Sequence, residues 1–163
     1  MKRCLAILSG LLVTALVHAA PEAALRASDA RTILPPANAI VQAGYATLLN
    51  PADRSLTIIA IDSPVFESAD LHESIESDGL IEMRPALPRT LAAGERLVMS
   101  PGGVHIMFRN PRQRFHAGDS VPVFLALDNG TRVRIDFVVK ERPLPRSAPA
   151  AEAVDERPQP YVL

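Results

Sequence analysis

The chain has 163 residues, a length typical of one domain, with 17 Lys and Arg against 18 Asp and Glu. This near-neutral balance predicts no basic surface and argues against nucleic acid as a partner. The only cysteine is Cys4. Beyond the N-terminus the chain therefore has neither a disulfide nor a thiolate ligand.

The first 19 residues are typical of a secretory signal peptide. Lys2 and Arg3 precede an apolar run at 5–17, and small residues follow it. A membrane-spanning helix needs about 20 apolar residues, so this run of 13 is too short. We predict cleavage near Ala19, a periplasmic product and no stable membrane insertion afterwards; the alternative is an uncleaved anchor or a buried first helix. Cys4 precedes the apolar run and is not placed as a lipoprotein cysteine.

After a predicted linker at residues 20–32, short apolar runs alternate with turn signals. The last two runs flank Asp128-Asn129-Gly130, a strong hairpin turn, and a second turn of this kind is Asp78-Gly79. The candidate strands are Ile40–Leu49, Ser55–Ile61, Ala69–Glu76, Leu80–Arg84, Arg96–Met99, Val104–Phe108, Val121–Leu127 and Val133–Val139. Many short strands without a helical pattern predict an all-β domain over residues 33–140, built as an antiparallel sandwich or barrel.

The last of these runs shows the period of a half-buried strand most clearly. Arg132, Arg134 and Asp136 are expected to point outward, and the residues that alternate with and follow them inward: Val133, Ile135, Phe137 and Val139. The segment that follows, residues 141–163, holds five prolines and no His or Met. We predict that it is a disordered Pro-rich tail without a metal site.

Four of the six His and Met residues outside the signal form one pattern, which we call the His–Met set: His72, Met83, His105 and Met107. His105 and Met107 are two residues apart in a strand-like run, so they share a face. His72 and Met83 flank the Asp78-Gly79 hairpin, which can bring them together. The other two, Met99 and His116, are interpreted as a core filler and a loop residue.

The donor atoms of the His–Met set select the metal. Soft thioether sulfur favours copper(I), whereas zinc sites use Cys, His, Asp and Glu, and calcium and magnesium prefer oxygen. A blue-copper electron-transfer centre needs a Cys thiolate, which is absent beyond Cys4. Asp70 shares a face with His72 in a strand and is expected to support that ring, whereas Glu73 is expected to point away.

The spacing His-x10-Met-x21-His-x-Met resembles the signature of the PCu(A)C-type periplasmic copper chaperones. The resemblance covers roughly residues 33–140, and further segments similar to that family are Gly44-Tyr45-Ala46-Thr47-Leu48 followed by Asn50, Ser63-Pro64, Leu71-His72-Glu73, Ala93-Gly94-Glu95, Pro101-Gly102-Gly103 and Gly118-Asp119-Ser120-Val121-Pro122. It implies a cupredoxin-like Greek-key β-sandwich that binds one copper(I) per chain through the His–Met set. It also implies a non-catalytic metallochaperone that supplies copper to the CuA centre of cytochrome oxidase, through an oxidase subunit or a second copper chaperone. We expect the chain to be a monomer.

Other functions remain open from the sequence. Copper scavenging or tolerance would need the same site. A structural or adhesion-type sandwich without metal would make the four residues incidental. A hydrolase is disfavoured because no Gly-x-Ser-x-Gly elbow is present.

Overall fold

The computed structural model describes residues 25–36, 38–77 and 79–142. The cleavage site, the signal and most of the Pro-rich tail lie outside these residues. The described part is all-β, and no helix in it is long and apolar enough to cross a membrane. Its strands are β1 (Arg26–Ile33), β2 (Val41–Leu49), β3 (Leu56–Asp62), β4 (Phe66–Ser77), β5 (Leu80–Pro85), β6 (Arg89–Leu91), β7 (Arg96–Val98), β8 (Val104–Pro111), β9 (Ser120–Leu127) and β10 (Arg132–Lys140).

The strands form one continuous ladder that folds into two layers. Its order is β5-β4-β8-β2-β1-β10-β9-β3-β6, and β7 also pairs with β2. In a flat sheet β8 and β10 would lie about 14 Å apart, because two other strands separate them. The rings of Phe108 on β8 and Phe137 on β10 are only 6.0 Å apart and meet edge to face. The two halves of the ladder therefore pack against each other around a shared core, which confirms the predicted sandwich.

Strand β1 joins the two halves. It pairs antiparallel with β2 and parallel with β10. The register against β2 shifts between Ser28 and Arg31, and Asp29 has a φ of 54°. Asp tolerates this left-handed conformation better than most residues. Such a bulge bends a strand, which lets β1 follow β2 and then turn to β10.

The predicted linker at residues 20–32 is wrong from Arg26 onward, because those residues form β1. The segment carries no apolar alternation: among residues 26–32 only Thr32 is buried, and its hydroxyl donates to the Ala43 carbonyl at 2.7 Å. Pairing with a strand on each side defines β1, and local sequence does not report such pairing. Leu25, just before it, already belongs to the core.

The predicted turns and alternation of the last two strands are confirmed. The β9–β10 connection closes at Gly130, whose N–H donates to the Leu127 carbonyl at 3.0 Å and whose φ is +82°. The inward residues of β10 are buried from Ile135 onward, and Val133 packs partly buried against them. The hairpin of β4 and β5 also forms as predicted, with Gly79 at a φ of +75°.

Replacing Gly44 by Ala is expected to destabilise the fold by about 1–3 kcal/mol through overpacking. A Cβ on this β2 residue would stand 2.6 Å from the Phe108 ring and 3.2 Å from the Phe137 ring. Phe108 cannot move freely, because Phe66 stacks on it at 4.7 Å. Urea unfolding measures the change. In a double variant with Phe108→Leu the loss should be smaller than the sum of the two single losses, and simple additivity would contradict this steric account.

Candidate metal centre

The two histidines of the His–Met set face each other across strands β4 and β8. His72 pairs in register with His105, and their ring centroids lie 6.2 Å apart with an interplanar angle of 85°. The neighbouring residues Leu71 and Ile106 point to the other side, into the core. Pairing between strands 33 residues apart in sequence thus brings two imidazoles together outside the core.

Strand register places both methionines on the same face as the histidines. Met107 follows His105 by two residues on β8, as predicted. Met83 on β5 lies opposite Ser74, which shares a face of β4 with His72. His72 and Met83 are therefore diagonal neighbours across the hairpin, because Met83 is offset by two residues from the position directly opposite His72. The whole His–Met set occupies one face of three adjacent strands.

A backbone hydrogen bond orients His105. Its Nδ1 lies 3.0 Å from the Gly103 carbonyl oxygen, which can only accept, so Nδ1 carries the proton and donates. The carbonyl is held by a turn in which the Gly103 N–H donates to Ser100 O at 3.1 Å and Gly102 takes a φ of +76°. This tautomer leaves the Nε2 lone pair of His105 available for a metal ion.

One ring nitrogen of His72 is buried without a hydrogen-bond partner in the described part of the chain. The ring is buried, and its Nδ1 has no hydrogen-bond partner among the described residues. A buried polar atom without a partner is costly, and ordered water or a bound ion is the usual explanation. The Nδ1 atom of His72 is therefore available to a metal ion or to water.

The electrostatics keep His72 in its neutral form. Burial is the largest cause of its lowered pKa, and the positive charge of Arg109 and the neighbouring His105 act in the same direction, whereas Asp70 opposes them. The hydrogen bond expected from Asp70 is not made at Nδ1, which has no partner among the described residues, and the charge of Asp70 favours the protonated ring instead. Neutral imidazole is the form that binds metal.

Exposure is graded across the His–Met set. His72 and His105 are buried and Met107 is half-buried, whereas Met83 is 55% exposed. Met83 lies on β5, an edge strand whose six residues are all exposed, beside exposed Leu80 and Ile81. The site therefore opens toward solvent on the Met83 side.

The remaining candidates lie where the sequence predicted them. Met99 is 2% exposed and belongs to the hydrophobic core. His116 is exposed in the β8–β9 loop, 3.6 Å from the Asp119 carboxylate. In the described ranges no three side chains of the types His, Cys, Asp or Glu gather as a metal site.

Two groups that act on the histidines of the site were not identified from the sequence. Arg109 follows Met107 by two residues and so shares the outward face, which strand alternation could have indicated. The Gly103 carbonyl could not have been found, because its role depends on the turn that aims it at His105.

A family model described as "Putative lipoprotein LpqE-like" matches residues 25–139. This chain belongs to the LpqE-like family. The match covers the described domain almost completely, from the residue before β1 to the last residue but one of β10.

Curated relatives of this LpqE-like chain are distant. An uncharacterised protein of Rickettsia prowazekii is 26% identical over 96 residues, which are 58% of this chain and 53% of the relative. A protein of Leifsonia xyli subsp. xyli named "Putative lipoprotein Lxx21020" is 26% identical over 100 residues, 61% of this chain and 60% of the relative. The matches thus span little more than half of each relative's length.

Solved structures share the fold of the LpqE-like chain. The apo PCuAC domain of PmoF1 superposes with a TM-score of 0.60 at 18% identity, covering 72% of this chain and 94% of that domain. The copper-bound PCuAC domain of PmoF2 gives 0.57 at 21%, covering 72% and 93%. Copper(I)-bound DR1885 of Deinococcus radiodurans gives 0.57 at 22%, covering 76% and 81%. The domain therefore has the cupredoxin-like fold of PCuAC domains.

Proposed function

We propose that this protein is a copper chaperone that binds one copper(I) ion through the His–Met set and passes it to another protein. One observation carries the proposal: strand pairing puts two imidazoles and two thioethers on one face, with His72 and His105 directly opposite. The likeness in fold to copper-bound PmoF2 and DR1885 supports it.

The chemistry of the set suits transport. Thioether and imidazole are uncharged, so the bound site keeps the single positive charge of copper(I). Soft sulfur selects this ion over zinc, calcium and magnesium. Thioethers also cannot be lost to disulfide formation in an oxidising compartment. We infer binding that is tight enough for transport and weak enough for release to a partner.

The setting we propose is outside the cytoplasm. The signal-like residues 1–19, and the lipoprotein descriptions of the family and the Leifsonia relative, support export, and the periplasm is our proposed location. The proposed recipient is an oxidase subunit being assembled with its CuA centre, or a second copper chaperone. Copper scavenging would use the same site. The chain itself is proposed to perform no catalysis.

Delivery and scavenging differ in which protein holds the copper after the two proteins are mixed. The copper(I)-loaded protein is mixed with an apo CuA domain, and the copper content of each is measured after separation. Movement of copper to the CuA domain, faster than release to buffer, is expected of a chaperone. Retention by this protein would contradict delivery to that partner and favour scavenging.

Copper(I) affinity is expected to fall as the pH drops through the histidine range. A protonated imidazole cannot bind metal. Because burial and Arg109 lower the pKa of His72 from 6.5, its protonation competes with copper only below that value. A competition titration from pH 8 to pH 5, against a chelator calibrated at each pH, measures the profile. A flat affinity over this range would remove both histidines from the ligand set.

A further inference from the structure

The three methionines of the described chain differ sharply in their access to solvent. Met83 is 55% exposed, Met107 is half-buried and Met99 is 2% exposed. Met83 lies on β5, at the edge of the sheet, where only β4 pairs with it. A small dissolved oxidant therefore reaches the Met83 sulfur without any opening of the fold, whereas Met99 requires one.

We propose that Met83 is a redox modification site. Peroxide converts the Met83 side chain to methionine sulfoxide, and the metal centre thereby loses affinity for copper(I). In this step the thioether sulfur attacks one oxygen of hydrogen peroxide. An S–O bond forms, the O–O bond breaks, and the other oxygen leaves as water after proton transfer. The sulfur is oxidised by two electrons and the peroxide is reduced.

Nothing else in the exported part of the sequence competes for mild oxidants in the way a thiol would. The only cysteine is Cys4, in the predicted signal. Thiolates are otherwise the preferred targets of peroxide in proteins. An exposed thioether is then the most accessible soft nucleophile, and Met83 is the more exposed of the two thioethers in the candidate metal centre.

The consequence for copper rests on the proposed function. Oxidation uses a sulfur lone pair and turns an apolar, soft donor into a polar, oxygen-bearing group. His72, His105 and Met107 remain unmodified, so the site loses one of its two soft donors. Sulfoxide reductases reverse this modification, so the site regains copper(I) affinity when the thioether returns.

The first experiment measures the order of oxidation. The purified apo protein is treated with limiting hydrogen peroxide, and fragment mass spectra follow sulfoxide at each methionine. Met83 is expected to oxidise at least about tenfold faster than Met99, and ahead of Met107. Equal rates at the three positions, or Met107 reacting first, would overturn the proposal.

The second experiment links the modification to the metal. Copper(I) affinity of the Met83-sulfoxide protein is expected to equal that of Met83→Leu within about threefold, because both lack the same sulfur donor. Sulfoxide reductase should restore it. Peroxide at the same dose should leave the affinity of Met83→Leu unchanged, whereas Met99→Leu, a conservative core swap, should stay sensitive.

Full copper(I) affinity after complete oxidation of Met83 would overturn the proposed loss of binding. If the untreated protein bound no copper(I), the proposed function would fail, and the proposed effect of oxidation on copper binding would fail with it. The oxidation order would still decide separately whether Met83 is the preferred modification site.

Discussion

Replacement of His105 by Asn is expected to lower the copper(I) affinity by at least about a hundredfold, because loss of even a group that only supports a ligand costs ten- to a hundredfold. The Asn amide can donate to the Gly103 carbonyl as Nδ1 of His105 does at 3.0 Å. It has no counterpart of Nε2, the nitrogen left for the metal. The variant thus removes a donor atom and keeps the contact that holds the β8 turn.

His116→Asn is the matched control, because it makes the same substitution in the exposed β8–β9 loop. Its copper(I) affinity should equal that of the unmodified protein. Both proteins should unfold cooperatively, and His105→Asn should lose less than about 2 kcal/mol of stability. Equal affinities in the two variants would show that His105 is not a ligand.

Replacement of Asn50 by Ala is expected to destabilise the fold by about 2–4 kcal/mol. The side chain is fully buried, and its amide donates to the carbonyls of Leu91 at 3.0 Å and Ala92 at 2.9 Å, while its Oδ1 accepts from the Ala52 N–H at 3.0 Å. These bonds tie the end of β2 to the β6–β7 connection. Truncation leaves the buried Leu91 carbonyl without this partner, which costs more than the bond itself.

Asn129→Ala provides the comparison for Asn50. Asn129 makes an exposed side-chain contact in the β9–β10 turn, accepting from the Thr131 N–H at 2.9 Å. Water can replace that contact, so a loss within about 1 kcal/mol is expected. Urea unfolding measures both variants. Similar losses of stability at the two positions would show that the buried hydrogen bonds of Asn50 do not stabilise the fold more than an exposed contact does.

The fold could be predicted where the pattern of a strand is local. β9 and β10 alternate in and out around a turn rich in Asn and Gly, and their limits lie close to those expected. β1 could not be predicted, because its polar sequence becomes a strand only through pairing with β2 and β10. The three-residue β6 is likewise defined by pairing with β3 and not by a pattern of its own.

In the candidate site, too, local features could be predicted from the sequence and features that depend on distant strand pairing could not. Period-2 alternation places Met107 beside His105, and the turn at Gly79 places β5 beside β4. The register that sets His72 against His105 belongs to the distant pairing of β4 with β8, which spacing alone does not specify. Burial of both rings and the orphaned Nδ1 of His72 are properties of the packed fold.

A copper(I) competition titration decides whether the His–Met set binds copper(I). The apo protein competes with a chromophoric chelator under anaerobic, reducing conditions, beside a Met83→Leu/Met107→Leu double variant that preserves side-chain volume. We expect one tightly bound equivalent in the unmodified protein and loss of that binding in the double variant. No copper(I) binding by the folded protein, or unchanged binding in the folded double variant, would contradict the proposed site.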